Sequence, residues 1–163
     1  MDTDKRMTHH QDALERFLAA QNKSPEGYQS ALAELRHGHK QTHWVWYIFP
    51  QTRPSDPNTG SYNTQYYGIS DDAEALRYLH HPVLGPRLAE ITAVVHTQLI
   101  VKDGYPEVLM MSKVDVKKLR SCMELFLRVG AQADTHALPW LPTFLAQAQA
   151  IFQKINIPAY RHH

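Results

Sequence analysis

Apolar residues recur at three- and four-residue intervals along most of this chain, the period of a helix that buries one face. Leu14, Phe17 and Leu18, with the polar Gln21, mark a short helix over 12–22. Ser24 and Pro25 offer an N-cap and a proline at the first helical position. Tyr28, Ala31, Leu32 and Leu35 then form the buried stripe of a second helix, which Gly38 closes because it takes positive φ without a Cβ clash. In the short apolar run from Trp44 to Phe49, periodicity does not separate strand from helix. Its neighbours are helical and no partner strand is in view, so a helix ended by Pro50 is expected.

Residues Arg53–Asn63, RPSDPNTGSYN, are dense in turn formers and predict one long loop after the aromatic segment. A stretch of roughly 20 residues without regular structure is uncommon in a compact domain unless it is a lid or a binding element. Ser70, Asp71 and Asp72 open the next helix with acids at its positive end, and His81-Pro82 breaks it. Leu84, Leu88, Ile91, Val95 and Leu99 define a longer helix to about Lys102, after which Gly104-Tyr105-Pro106 turns the chain. Ser112 followed by Asp115 resembles a capping box and opens a helix to Val129 that Gly130 closes. Pro139 takes the first position of a last helix, with Leu141, Phe144, Leu145, Ala148, Ile151, Phe152 and Ile155 as its stripe. Residues 1–10 and 159–163 are expected to be flexible. The pattern predicts an all-α fold, a single compact domain over 1–163 with six to eight helices.

Composition narrows the function classes. Seventeen Lys and Arg against 16 Asp and Glu leave a formal charge of +1, so no global field would hold duplex nucleic acid, and no nucleic-acid partner is expected. The 11 histidines titrate near neutrality, which makes the charge rise at mildly acid pH. Cys122 is the single cysteine, so no intrachain disulfide forms and a reducing compartment is expected. The opening MDTDKRMTHH lacks the apolar run of a secretory signal, and no window approaches the roughly 20 apolar residues of a membrane span. A cytoplasmic location without a membrane partner is the expectation. The pairs His9-His10, His80-His81 and His162-His163 do not share a helix face, and the chain has no HExxH, Gly-rich phosphate loop or nucleophile elbow. No metal and no cofactor are expected.

Candidate chemistry gathers between Glu34 and Gln51, ELRHGHKQTHWVWYIFPQ. His43 lies between Lys40 and the Trp44/Trp46 pair, a grouping suited to a nucleotide-like ligand with its base on an indole and its phosphate near a cation. The same aromatic residues would serve equally as core. Further along, projecting Lys113–Val129 at 100° per residue puts Leu119, Cys122, Met123 and Phe126 on one face, with Asp115 and Lys118 near its start. Opposite charges turned inward need partners. The two are a capping acid with a snorkelling lysine, or a polar pair at the floor of a pocket.

These residues also resemble a bacterial family, the domain of unknown function 1810. Its pattern is matched by Phe17, Ala20 and Gln21, by Tyr28, Ala31, Leu32, Glu34, Leu35, Arg36, Gly38 and Lys40, and by the HWxWxxFPQ block from His43 to Gln51. It continues through Tyr67-Gly68-Ile69, through HPVLGPRL from His81 to Leu88, and through Asp115, Lys118, Leu119, Arg120, Ser121, Met123 and Phe126. The resemblance implies an all-helical fold and leaves the activity open. Some members carry a calpastatin label, yet nothing here resembles a calpain-inhibitor repeat. The chain departs from the pattern at His39 and Gln41, where relatives tend to have arginine, and its loop from Pro54 to Ser61 looks longer than usual.

Two functions follow. The first is a bacterial-type pocket protein that binds or hydrolyses a small nucleotide or ADP-ribose-like molecule, with Asp115 as candidate catalytic acid and His43 orienting substrate or moving protons. Gln21, Lys40, Trp44, Trp46, Gln51, Tyr67 and Lys118 are then the candidate ligand-binding residues. The second is a non-catalytic helical interaction module in which the aromatic cluster is core and the long loop contacts a protein. They divide on whether His43 meets Asp115 and Lys118 across the helical core.

Overall fold

The apolar stripes become helices, and the structure, a computed structural model, describes residues 13–161. The expected flexibility of 1–10 and of the last two residues lies outside that range. In chain order the helices are α1 (13–21), α2 (Tyr28–Arg36), α3 (Val45–Ile48), α4 (Tyr62–Tyr66), α5 (Asp72–His80) and α6 (Leu84–His96), which runs on as a π turn, Thr97–Val101. After these come α7 (Pro106–Met110), α8 (Lys113–Gly130), α9 (Leu141–Ile155) and α10 (Pro158–Arg161). The described residues form no strand, so the fold is all-α; one isolated parallel bridge joins Thr52 to Ile69. Among them, no helix is long and apolar enough to cross a membrane.

The central element is α8, which contacts α3, α5, α7, α9 and α10. Its buried side, Val116, Leu119, Cys122, Met123, Phe126 and Val129, joins the Phe144, Ala148 and Ile151 face of α9 in one core. Behind them α6 packs on α9, α5 and α2. The α5–α6 junction is tight enough to require glycine, since a Cβ on Gly85 would lie 2.1 Å from the Leu79 carbonyl oxygen.

Where boundaries differ from expectation, local hydrogen bonds and backbone geometry explain it. The second helix starts at Tyr28, not Pro25, because Glu26 takes φ 67° and cannot continue a right-handed helix. It ends at Arg36, and Gly38 follows at φ 83°, as its lack of a Cβ permits. The last long helix begins two residues after Pro139, because the Asp134 carboxylate gathers the amides of His136 and Ala137 into a preceding turn. Short helices also occupy two places read as irregular. In the long loop, α4 starts where Ser61 Oγ accepts from the Thr64 amide, and α7 starts on Pro106. The tail makes one helical turn, and its buried Tyr160 donates to Glu107 at 2.8 Å.

His81 shapes the junction between α5 and α6. Its Nδ1 accepts from the amides of Val83 and Leu84 at 3.1 and 3.2 Å, which requires a neutral ring with the proton on Nε2. Burial lowers its pKa below the ordinary 6.5, with nearby Glu15 pulling the other way and Arg87 adding to the lowering. Folding thus favours the neutral ring, so the stability it contributes is complete above the unfolded pKa and is lost as pH falls through the folded one. His81→Ala is expected to cost about 1 kcal/mol at pH 8, a Tm drop of about 2–4 °C. At pH 5 the gap between variant and parent should narrow in a thermal melt. A gap of constant size across that range would show that the ring does not act as a neutral acceptor.

Candidate functional site

The stretch from Glu34 to Gln51 folds around one carboxylate. Glu34, on the last turn of α2, accepts from the Gln41 amide at 2.7 Å, the Thr42 amide at 2.9 Å, the Thr42 hydroxyl at 2.7 Å and the Trp44 indole at 3.0 Å. Burial alone would raise its pKa, but these donors outweigh burial and hold the carboxyl below its usual range. The connection from α2 to α3 is thereby folded back on the helix end, and the Lys40 side chain turns inward. Lys40 is fully buried. Its ammonium donates to the Thr42 carbonyl at 2.5 Å, lies 2.8 Å from Asp115 Oδ2 and sits 4.9 Å from the Trp44 ring centroid.

The ion-pair partner of Asp115 is therefore Lys40, not Lys118. Both Asp115 and Lys118 do lie on the inward half of α8, but one turn of separation gives them different neighbours. At the start of α8, Asp115 meets the α2–α3 connection, while its own amide donates to Ser112 Oγ at 3.1 Å. The capping box is thus half formed, because the acid reaches the lysine instead of the Ser112 amide.

Most of the other candidate residues take structural positions. Trp44 is fully buried, while Trp46 is half-buried and its Nε1 has no hydrogen-bond partner among the described residues. Gln21 is inside, donating to the Tyr47 carbonyl at 2.8 Å and to the Tyr78 hydroxyl at 3.1 Å, and accepting from Arg87 at 3.2 Å. Tyr67 packs edge-on to Tyr47 and Tyr66, with centroids 5.1 and 4.8 Å away. His43 is exposed, and its carbonyl accepts from the Tyr47 hydroxyl. It is not among the residues that line the cavity holding Lys118.

Gln51 and Lys118 do come together, as lining residues of a cavity of about 500 Å³ between the 51–69 loop and the flank of α8 from Val114 to Arg128. The loop's ends are pinned by Ile69 N to Gln51 O and Arg53 N to Ile69 O, each 2.8 Å. Its interior is held by Gln65, whose amide donates to the Asp56 and Thr59 carbonyls, and by Arg53, whose guanidinium donates to the Gln65 and Gly68 carbonyls. On the α8 wall, Arg128 pairs with Asp72 at 2.7 Å and Glu124 with Arg120 at 3.4 Å. Among the described residues, Lys117 and Lys118 of that wall make no ion pair within 4 Å. Burial draws the Lys118 pKa below the usual lysine value, against the pull of Asp115. No cluster of three His, Cys, Asp or Glu among the described residues could hold a metal ion.

Several polar residues that set this geometry were not singled out from the sequence. Arg16 donates to the Tyr66 and Gly68 carbonyls at 2.8 and 2.9 Å and pairs with the buried Glu74 at 3.1 Å, which fixes the far end of the loop. Glu74 also accepts from the Ser70 amide, and although burial raises its pKa, Arg16 and that amide bring it below the normal carboxylate range. A pairing across 58 positions leaves no local signal in one sequence. Glu34 did leave one. An indole in an apolar run needs an acceptor for its N–H, and Glu34 is the nearest preceding carboxylate.

Removing one partner of a buried pair strands the other, so Lys40→Met is expected to cost about 3–5 kcal/mol in urea unfolding. The double change Lys40→Met with Asp115→Leu should recover part of that loss. If Lys40→Met alone costs under about 1 kcal/mol, the pair does not hold this region together.

The comparisons with known proteins agree with this fold. The family model described as "Protein of unknown function (DUF1810)" matches residues 11–149. A crystal structure of the conserved hypothetical protein Rv1873 from Mycobacterium tuberculosis is similar, with 38% sequence identity over 85% of this chain and 88% of that one, at a TM-score of 0.63. No curated protein matches the chain. The chain belongs to the DUF1810 family, whose function is unknown.

Proposed function

We propose that this protein binds a small anionic metabolite between the 51–69 loop and α8, with nucleotides and ADP-ribose-like compounds as the first class to test. The observation that carries the reading is Lys118: a half-buried ammonium on the wall of a cavity, without an ion-pair partner among the described residues, in a chain where Lys40 and Arg16 are both paired. An arriving anion would supply the missing counter-charge. Lys117 beside it adds a second positive charge.

Binding, not hydrolysis, is the proposal. Asp115 faces Lys40, which supports a structural carboxylate more than a free general acid, and His43 is not among the cavity's lining residues. The second reading, a non-catalytic interaction module, is favoured for the Glu34–Gln51 stretch by the burial of Trp44 and Lys40. It gives no role to the cavity.

With AMP or ADP-ribose at about a hundred times Kd, the stabilisation would be about 2.7 kcal/mol, a Tm rise of roughly 5–10 °C. Lys118→Ala should cut that shift to roughly half at the same ligand concentration, as a tenfold loss of affinity does, and leave the unliganded Tm nearly unchanged. Absence of any shift at millimolar concentrations of either compound would sink the proposal.

A further inference from the structure

We infer that the moiety the cavity recognises is a phosphorylated polyol, a sugar phosphate, and not a nucleobase. The inference rests on the ligand-binding reading above and narrows it.

Most polar groups of the core are committed, with Thr92 Oγ1 and the Trp46 indole N–H as exceptions among the described residues. Gln21, Glu34, Lys40 and Glu74 each make two or more side-chain hydrogen bonds or ion pairs, as described above. The cavity wall is different. The Gln51 amide and the Ser121 hydroxyl are half-buried there and make no side-chain hydrogen bond to another described residue. They stand with the two ammonium groups of Lys117 and Lys118. The first pair donates and accepts, as a chain of hydroxyls requires; the second pair matches the double charge of a phosphate monoester, which a lysine meets as a point charge.

Aromatic rings are missing from that wall among the described residues; its apolar members are Pro54, Val114 and Leu125. A base would find no aromatic ring to stack on, and the two guanidinium planes of the wall are engaged by protein acceptors, Arg53 with the Gln65 and Gly68 carbonyls and Arg128 with Asp72. The nearest stacked pair in the loop, Tyr62 and Tyr66 with centroids 5.6 Å apart, is on α4. There Thr64 lines the cavity, and side chains two positions away point about 200° around the helix, to the outer side. The tyrosine platform and the cavity thus lie on opposite sides of α4.

Calorimetric titration with ribose 5-phosphate, AMP, adenosine, ribose and inorganic phosphate tests this. Ribose 5-phosphate and AMP should bind within about threefold of each other, adenosine and ribose should not saturate, and inorganic phosphate should be at least about tenfold weaker. Lys118→Met should weaken both phosphorylated ligands about tenfold, whereas Gln51→Leu and Ser121→Ala should weaken ribose 5-phosphate and leave inorganic phosphate unchanged. Thermal melts of each variant separate lost binding from lost folding. AMP binding more than about tenfold tighter than ribose 5-phosphate would overturn the inference while leaving the cavity a ligand site. Inorganic phosphate as tight as ribose 5-phosphate would also overturn it, reducing the cavity to an anion site. If none of these compounds binds, and ADP-ribose does not either, the underlying ligand-binding reading fails with it.

Discussion

A lysine ammonium with no exposure to water must find a carboxylate and further acceptors, and in this protein that requirement ties the chain's most distinctive stretch to its central helix. Lys40 satisfies it with Asp115 and the Thr42 carbonyl, under the face of Trp44. The arrangement depends on Glu34, which gathers the amides and hydroxyl of the α2–α3 connection and so brings Lys40 and Thr42 into position. The Lys40 amide also donates to the Leu109 carbonyl at 2.8 Å, so the same few residues fasten α7. One carboxylate folds the segment, and the other receives it.

The same logic places the wall of the cavity. A long surface loop is a poor wall if its ends and interior are free, because ordering it on binding costs conformational entropy. Here Arg16 and Glu74 hold the far end, a two-bond bridge closes the base, and Gln65 and Arg53 fill the middle with hydrogen bonds to carbonyls. Much of that entropy is lost on folding, before any ligand arrives. The cavity is therefore a consequence of two rigid partners, a self-bonded loop and the continuous helix α8.

The helices were legible because burial repeats every three to four residues, and even the short Trp44–Phe49 run reads as helix beside helical neighbours. Their ends were less so: Glu26 adopts a left-handed conformation that its residue type does not announce, and the Asp134 turn displaces the start of α9. Gln51 and Lys118 were both candidates from the sequence, one as an amide and the other as a lysine on an inward helix face, and both line the cavity. What could not be read was partnership. A helical projection gives the face of Asp115 but not what packs on it, so the opposite charge on the same helix face, Lys118, stood in for the real partner 75 positions earlier.

That error bears on how the motif blocks of this family are to be understood. HWxWxxFPQ and HPVLGPRL look like active-site signatures because they combine aromatic, cationic and histidine residues. In the structure most of that chemistry is turned to the scaffold: Trp44 to Glu34, His81 to the start of α6, Arg87 to Gln21 and Asn22. Each of these side chains makes at least one hydrogen bond within the protein. A ligand needs groups whose capacity is unused, and those are found among plainer residues, Gln51 at the end of the first block and Lys118 and Ser121 on α8. By that criterion the specific-looking residues hold the frame and the unspecific-looking ones face the cavity.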